Sequence, residues 1–305
     1  MPSHNGERWL QAALQSVADQ NEPGIEIVLL DSSATPASLE IAAGFADRLD
    51  LRAESRPDLL PWPAKTNAAA AMARSPWISM LHQDDLWLPG RARAVRQWLD
   101  AQPDAVMHLH ASIIVDGAGK PLGRWRCPLP DGETLPSQAL LARLLVQNFI
   151  AIPAPVICRE AYLAVGGMDD ELWYTADWDL YLKLLFAGPV YYHREALTCF
   201  RIHGNSLTVS GSRALDDFRR QQEIVRDRYL GRLRSGHAAT AAISAVSIDV
   251  NVALAAAAKG TPGSLVPALA RLLALGPRKL ARYLRDSRIV ERLWPRLRAR
   301  LAGGW

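Results

Sequence analysis

Apolar and polar positions form alternating blocks along the first two hundred residues of this 305-residue chain. Between Asn5 and Gln20, the residues Trp9, Leu10, Ala13, Leu14 and Val17 fall on one stripe, which predicts an amphipathic helix. Gly24 breaks that pattern. Ile25–Leu30 is then a near-continuous apolar run ending in Asp31-Ser-Ser, as expected of a buried parallel strand with polar groups at its exit. Ser38 to Leu49 predicts a second helix, Leu51–Ser55 a short strand, and Lys65 to Arg74 an Ala-rich helix closed by Ser75-Pro76. Ile78–Leu81 suits another buried strand, which stops at Asp84 and Asp85 before Leu-Trp-Leu-Pro-Gly turns the chain away. Arg91–Ala101 reads as helix and Val106–Val115 as strand. Residues 116–136 are rich in Pro, Gly and Asp and read as loop or hairpin without a clear core. Leu140–Gln147 predicts a helix, Pro155–Arg159 a strand and Gly166–Asp170 a turn. Trp173–Asp179 opens a helix over Leu180–Phe186, and Val190–Ile202 is extended.

Strands that alternate with helices predict an α/β fold with a parallel, doubly wound sheet. After about residue 212 the pattern is helical only. The chain therefore divides into an α/β unit over 1–212 and an all-helical extension over 213–305. A composition of 49% hydrophobic and 22% charged residues suits a globular protein with a sizeable core. Cys127, Cys158 and Cys199 are far apart and lack metal-type spacing, so they read as free thiols in a reducing compartment. Met1–Glu7 has no apolar core of a signal peptide, and the Ala-rich stretch Ala238–Ala258 carries Asp249 and Asn251 near its middle, which argues against a membrane span. The expectation is a cytoplasmic protein.

The charge is uneven. The whole chain carries +4, but from Lys259 onward eleven Lys and Arg face only Asp286 and Glu291, a net +9. Leu265, Leu269, Leu272, Leu273, Leu280, Leu284 and Leu293 recur through this region at near-helical spacing, so it is no plain solvated charge run. A basic amphipathic segment over 262–305 suits attachment to an anionic membrane surface. The alternative is that its leucine stripe packs against the α/β unit or a second subunit in a homodimer. A nucleic-acid partner is not expected, because Tyr283 and Trp294 are too few for a stacking platform.

The chemistry is expected at the strand exits, where ligands of open α/β sheets bind. The adjacent carboxylates of Asp84 and Asp85 end one strand, in a position to bring a hard cation and a phosphate ester together. They could equally cap the helix that begins near Pro89. Asp177 and Asp179 precede a Leu-rich helix and could likewise be N-caps. His108 and His110 point to one face of their strand, and no metal site is assigned to them. No Gly-rich phosphate loop follows the first strand, against a nucleotidyltransferase on a related fold.

Several blocks in order carry a resemblance: His4-Asn5-Gly6 with Ser16-Val17-Ala-Asp-Gln20, Glu26-Ile-Val-Leu-Leu-Asp31-Ser-Ser, Asn67, Gln83-Asp84-Asp85 with Trp87 and Pro89, Val165-Gly-Gly-Met-Asp169, Ala176-Asp177-Trp-Asp179-Leu180, and Phe200-Arg201-Ile-His203-Gly-Asn-Ser206. Over roughly residues 1–210 the chain resembles the family-2 inverting glycosyltransferases of the GT-A fold, a Rossmann-like sheet flanked by helices. The resemblance implies a nucleotide-diphosphate-sugar donor, a saccharide or lipid-linked saccharide acceptor and a divalent metal, Mg or Mn. It assigns Asp177 as the general base, Asp84 and Asp85 to metal, with Asp84 also contacting the donor, Asp31 to the nucleotide-base pocket, and Lys65 and His203 to the neighbourhood of the diphosphate. A degenerate, non-catalytic nucleotide-sugar-binding protein is the remaining alternative. The chain departs from the family pattern at Ser32, where a second Asp is usual, and at His82, which occupies the first position of the Asp-X-Asp motif. It also opens at Met1-Pro2, inside the segment that the family's first apolar strand precedes. Either the start lies about ten residues too far downstream or a central strand is missing, and a missing strand would leave an open sheet edge.

Overall fold

In the computed structural model, which describes residues 1–204 and 214–301, the alternating blocks become two sheets with helices packed against them. β1 (Pro2–Ser3) leads into α1 (Glu7–Ala18), followed by β2 (Glu26–Asp31), α2 (Ala37–Ala43), β3 (Asp50–Ser55) and α3 (Trp62–Met72). Next come β4 (Trp77–Ser79), β5 (Leu86–Trp87), α4 (Arg91–Ala101), β6 (Met107–Val115) and β7 (Pro121–Trp125). α5 (Ser137–Leu144), β8 (Val156–Cys158), α6 (Arg159–Ala164), α7 (Ala176–Leu184) and β9 (Val190–Arg201) complete the α/β part. The rest is helical: α8 (Leu215–Leu230), α9 (His237–Ala258), a short 3-10 turn (Pro262–Ser264), α10 (Leu265–Ala274), α11 (Pro277–Ser287) and α12 (Ile289–Leu301). The expected division at 212/213 and the motif residues Asn205 and Ser206 lie outside the described residues.

The first sheet, β1-β2-β3, is parallel throughout, with Glu26 opposite Asp50 and Asp31 opposite Ser55. The second has the order β4-β8-β6-β9-β5, with β7 attached to β6. β6 and β9 pair in parallel along their length, and β8 lies antiparallel between β4 and β6. β4, β6 and β9 thus share one direction, which makes the whole a mostly parallel, Rossmann-like arrangement flanked by helices. Apolar faces decide the packing: Leu10, Leu14 and Val17 of α1 bury against Ile27, Leu29, Phe45 and Leu81. A larger core joins Met107 and Leu109 of β6 to Leu144, Phe149, Ile157, Leu180 and Leu184. Trp9, on the same sequence stripe as Leu10, stays half-buried and turns to His203 instead, with ring centroids 4.2 Å apart.

The hairpin region departs from expectation. Residues 116–136 do contain a core segment: Leu122 and Trp125 of β7 are buried, and Trp125 Nε1 donates to Phe149 O at 2.7 Å. A register irregularity between Ile114 and Val115 breaks strict two-residue alternation, so periodicity does not announce this strand. The second helix also ends early, at Ala43, before Gly44.

Between the two sheets the backbone ladder is interrupted. β1 is only two residues long, and no strand pairing joins the first sheet to the second among the described residues. A cavity of about 310 Å3 is lined from both sheets, by Pro2 and Ile27 of the first and Trp77 and Ile78 of the second among others. Side chains bridge this seam. Gln83 uses its carboxamide as a substitute peptide, accepting from His4 N at 2.7 Å and donating from Nε2 to His4 O at 3.0 Å.

α9 is long and apolar enough to cross a membrane by length and composition. Its polar face is nevertheless built into the protein. Asn251 Nδ2 donates to Gln147 Oε1 at 2.8 Å and Gln222 Oε1 at 2.7 Å, and Asp249 pairs with Arg219 and Arg271. These bonds tie α9 to α8 and to the segment after α5, supplying the partners that a buried amide needs.

Candidate active site

The exits of β4 and β9 and the start of α7 converge on a cleft of about 760 Å3. Lys65, Asp84, Asp85, Asp177 and His203 all line it. Asp31 does not. It lies buried behind Lys65, its carboxylate accepting from Ser33 N at 3.2 Å and Ser33 Oγ at 2.8 Å.

Lys65 is delivered by α3 and is buried, its ammonium donating to Ser3 O and Ser32 Oγ, both at 2.7 Å. Burial brings its pKa down to about 8, against the opposing pull of Asp31. The departure at Ser32 therefore has a local consequence: its hydroxyl is a ligand to the lysine.

The Asp84–Asp85 pair is gripped from β9. Arg201 N donates to Asp85 Oδ1 at 2.9 Å, and Arg201 Nε donates to Asp84 O at 2.7 Å. Its Nη1 reaches back to Asp116 O and Gly117 O, closing the β6–β7 side. His203 Nε2 sits 2.9 Å from Asp84 Oδ2, while its Nδ1 is buried without a partner among the described residues. Burial and the adjacent charge of Asp84 push Asp85 well above the usual carboxylate range. Burial acts to raise Asp84 too, but the His203 hydrogen bond and the nearby His82 leave it below its ordinary value. Two carboxylates that oppose each other's ionisation are a place where a divalent cation relieves the strain. Among the described residues no group of three or more His, Cys, Asp or Glu forms a metal-binding cluster. Mg-type sites commonly take one or two carboxylates and complete their shell with water and substrate phosphates, and the residues here fit that donor set.

Asp177 lies in the first turn of α7, whose N-cap position is Thr175, so it is not the helix cap. Its Oδ1 accepts from Trp178 N at 2.8 Å and its Oδ2 from Asn148 Nδ2 at 2.9 Å. Burial raises its pKa to about 6 despite these two hydrogen bonds. Asp179, two residues on, does a different job: it is fully buried, pairs with Lys183 of its own helix, and ties α7 to α8 through Arg228 and the Tyr229 hydroxyl.

Sequence reasoning passed over Gln83, Asn148, Arg201, Arg292 and Arg296. The first and third stand inside blocks quoted for the resemblance, but nothing in a single sequence distinguishes a clamp from a spacer. Arg292 and Arg296 read as part of the basic tail, yet α12 folds back and places both on the cleft wall, with Trp125, Tyr174 and Phe200 nearby.

Comparison with known proteins agrees with this architecture. The family model described as Glycosyl transferase family 2 matches residues 1–161. An uncharacterised glycosyltransferase of Rickettsia typhi is 22% identical over 225 residues, covering 72% of this chain and 67% of its own length. Among solved structures, S. aureus TarS 1-349 in complex with UDP-GlcNAc has a TM-score of 0.63 at 16% identity, covering all of this chain and 91% of that one. A longer TarS structure is spanned over only 42% of its length. The mannosyltransferase PcManGT from Pyrobaculum calidifontis, solved with GDP-Man and Mn2+, has a TM-score of 0.53 at 16% identity and covers 96% of this chain and 85% of that one. With its GT-A-type sheet, its strand-exit cleft and more than half of its length matched by the family, the chain belongs to glycosyl transferase family 2 and is a glycosyltransferase.

Proposed function

We propose that the protein transfers a sugar, with inversion, from a nucleotide-diphosphate donor to a hydroxyl of a saccharide or lipid-linked saccharide. The observation that carries this reading is Asp177: a buried carboxylate with a pKa of about 6, held by two donors on the wall of the same cleft as Asp84, Asp85, Lys65 and His203. A general base works best with a pKa near the working pH, and burial has moved this one in that direction. Asp177 takes the proton from the acceptor hydroxyl as its oxygen attacks the anomeric carbon. The leaving diphosphate departs on the opposite face, toward Asp84, Asp85 and Lys65. Asp84 and Asp85 would hold a Mg or Mn ion, which supplies neutralisation of the diphosphate when bound. Lys65, buried and short of a carboxylate within hydrogen-bonding distance, adds positive charge on the same side. Asp31 supports that side through Lys65; its assignment to the nucleotide-base pocket has weaker support, because it is absent from the cleft lining.

The location proposed is cytoplasmic, at the inner face of an anionic membrane. Val266, Leu269, Leu273, Leu284, Val290 and Trp294 are exposed on α10–α12 among basic residues, an apolar surface of the kind that enters a headgroup layer. Part of the leucine stripe packs inward instead, with Leu272, Leu275 and Ile289 against Val146, Ile243 and Tyr283.

The reaction is tested by incubating the protein with Mn and a panel of nucleotide sugars and measuring release of nucleoside diphosphate, alongside thermal shifts with each nucleotide. Release that depends on one donor supports the reading. Stabilisation by a nucleotide sugar without any release would favour the binding-protein alternative, and neither response would remove both.

A further inference from the structure

α12 brings two arginines into the cleft, and no carboxylate pairs with them among the described residues. Arg292 and Arg296 stand one helical turn apart, on the same face of the helix. Nε and Nη1 of Arg292 are shielded from solvent and have no hydrogen-bond partner among the described residues. Arg296 Nη1 donates to Arg292 O at 2.6 Å, and its guanidinium lies 5.8 Å from the ring centre of Trp125. The acid next to them in sequence, Glu291, is committed to Arg126 and Arg288.

The helix is seated firmly, so these groups do not simply swing to water. Pro295 packs so closely on Gly123 that a Cβ at the glycine would come within 2.8 Å of Pro295 Cγ. Ala299 is fully buried. Burial lowers both guanidinium pKa values, Arg296 to about 10 with a further push from Arg292. Two like charges held together in a desolvated place are costly unless an anion completes them. Planar guanidinium forks match phosphate and carboxylate oxygens in geometry as well as charge.

Arg296 lies against Trp125, whose Nε1 donates to Phe149 O, and the preceding residue, Asn148, holds the Asp177 carboxylate. The two arginines therefore share this part of the cleft wall with Asp177.

We propose that Arg292 and Arg296 form an anion subsite for a phosphate or carboxylate carried by the acceptor, beside the hydroxyl that Asp177 deprotonates. This rests on the assignment of Asp177 as base and narrows the acceptor class to acidic or phosphorylated saccharides.

The test uses the full chain with Mn and saturating UDP or GDP, whichever binds, so that the diphosphate site is filled. Glucose 6-phosphate, glucuronate and glucose are then titrated by calorimetry, three probes that share a ring and differ in charge. At least one acid should bind tenfold or more tightly than glucose, and which acid does so separates a phosphate from a carboxylate. Arg292→Gln and Arg296→Gln should each weaken that acid by tenfold or more. Arg298→Gln removes the same charge from the same helix away from the cleft and should leave it within twofold. Equal binding of all three probes overturns the proposal, as does unchanged acid affinity in a folded Arg292→Gln or Arg296→Gln variant. Should neither nucleotide bind, the donor reading fails instead, and the same titrations without nucleotide judge the subsite by the same criteria.

Discussion

Asn148 donates its side-chain amide to Asp177 Oδ2 at 2.9 Å, which fixes the carboxylate from the side opposite the Trp178 amide. One oxygen is held by the loop after α5 and the other by the helix's own backbone. Asp177→Asn keeps shape and size but removes the proton acceptor. Transfer should fall by roughly two to four powers of ten, the usual scale for a general base, with nucleotide affinity nearly unchanged. The same variant gives up one of these two hydrogen bonds, because its amide nitrogen cannot accept, and it also sheds the cost of the buried charge. Because the folded pKa of Asp177 is raised, that cost is absent below the unfolded carboxylate range and is complete once pH exceeds about 6. Between pH 4 and pH 7.5 the Asn variant should therefore gain up to about 3 kcal/mol on the parent in melts. A fully active variant would leave Asp177 as a structural carboxylate.

Asn148→Ala removes a hydrogen bond that favours the ionised form of Asp177. The acidic limb of the rate–pH profile should move upward by about one unit, the size of a hydrogen bond to a charged group. A profile that stays in place would mean the bond orients Asp177 without tuning it.

Gly6 is required by the Gln83 clamp. A Cβ there would lie 2.8 Å from Gln83 Oε1 and 2.9 Å from Ser3 Oγ. Gly6→Ala and Gln83→Ala should each cost about 1–3 kcal/mol, and the double variant should cost little more than either alone. Additive losses in urea melts would show that Gly6 serves some other contact.

Asp85→Ala should abolish transfer and the Mn-dependent part of nucleotide binding while leaving metal-free nucleotide binding in place. Calorimetry with and without Mn reads the difference directly. Undiminished Mn-dependent affinity would move the cation elsewhere.

Full-length protein should float with anionic vesicles, less so at high salt, and a chain ending near Ala258 should not. The truncation also exposes surface on α9, so Val266→Ser with Leu269→Ser and Trp294→Ser in the full chain is the cleaner comparison. Those residues are exposed and their loss should not disturb packing. Continued flotation of the triple variant, or absence of the parent from the floating fraction at low salt, would leave α10–α12 as a packing element.

The elements most visible in the sequence were those with one apolar stripe or one continuous apolar run. α1, with a single buried stripe, and β2 and β6, buried almost throughout, fall within a few residues of expectation because that pattern is local. β7 was hidden because the register shift beside it abolishes alternation. At the site, Asp84, Asp85, Asp177 and His203 are polar residues at strand exits or a helix start, where the motif blocks already drew attention, and Lys65 stands in the early turns of α3 beside Asn67. Asn148 and Arg292 stand outside those blocks. Their importance comes from a contact across 29 residues in one case and from the return of the last helix in the other. Such meetings belong to tertiary structure and leave no periodic trace.

The seam between the two sheets also sets how the molecule yields. A continuous ladder would make β1–β3 and β4–β9 cooperate as one block, whereas here packing and side-chain bonds such as Gln83–His4 and Gln20–Leu88 connect them. The line of least resistance runs past Ser3 and Lys65 on one bank and Gln83, Asp84 and Asp85 on the other. Partial opening along it parts these groups before either bank melts. A ligand that touches both banks therefore acts as a rivet, and its grip adds to the cooperativity of the entire fold.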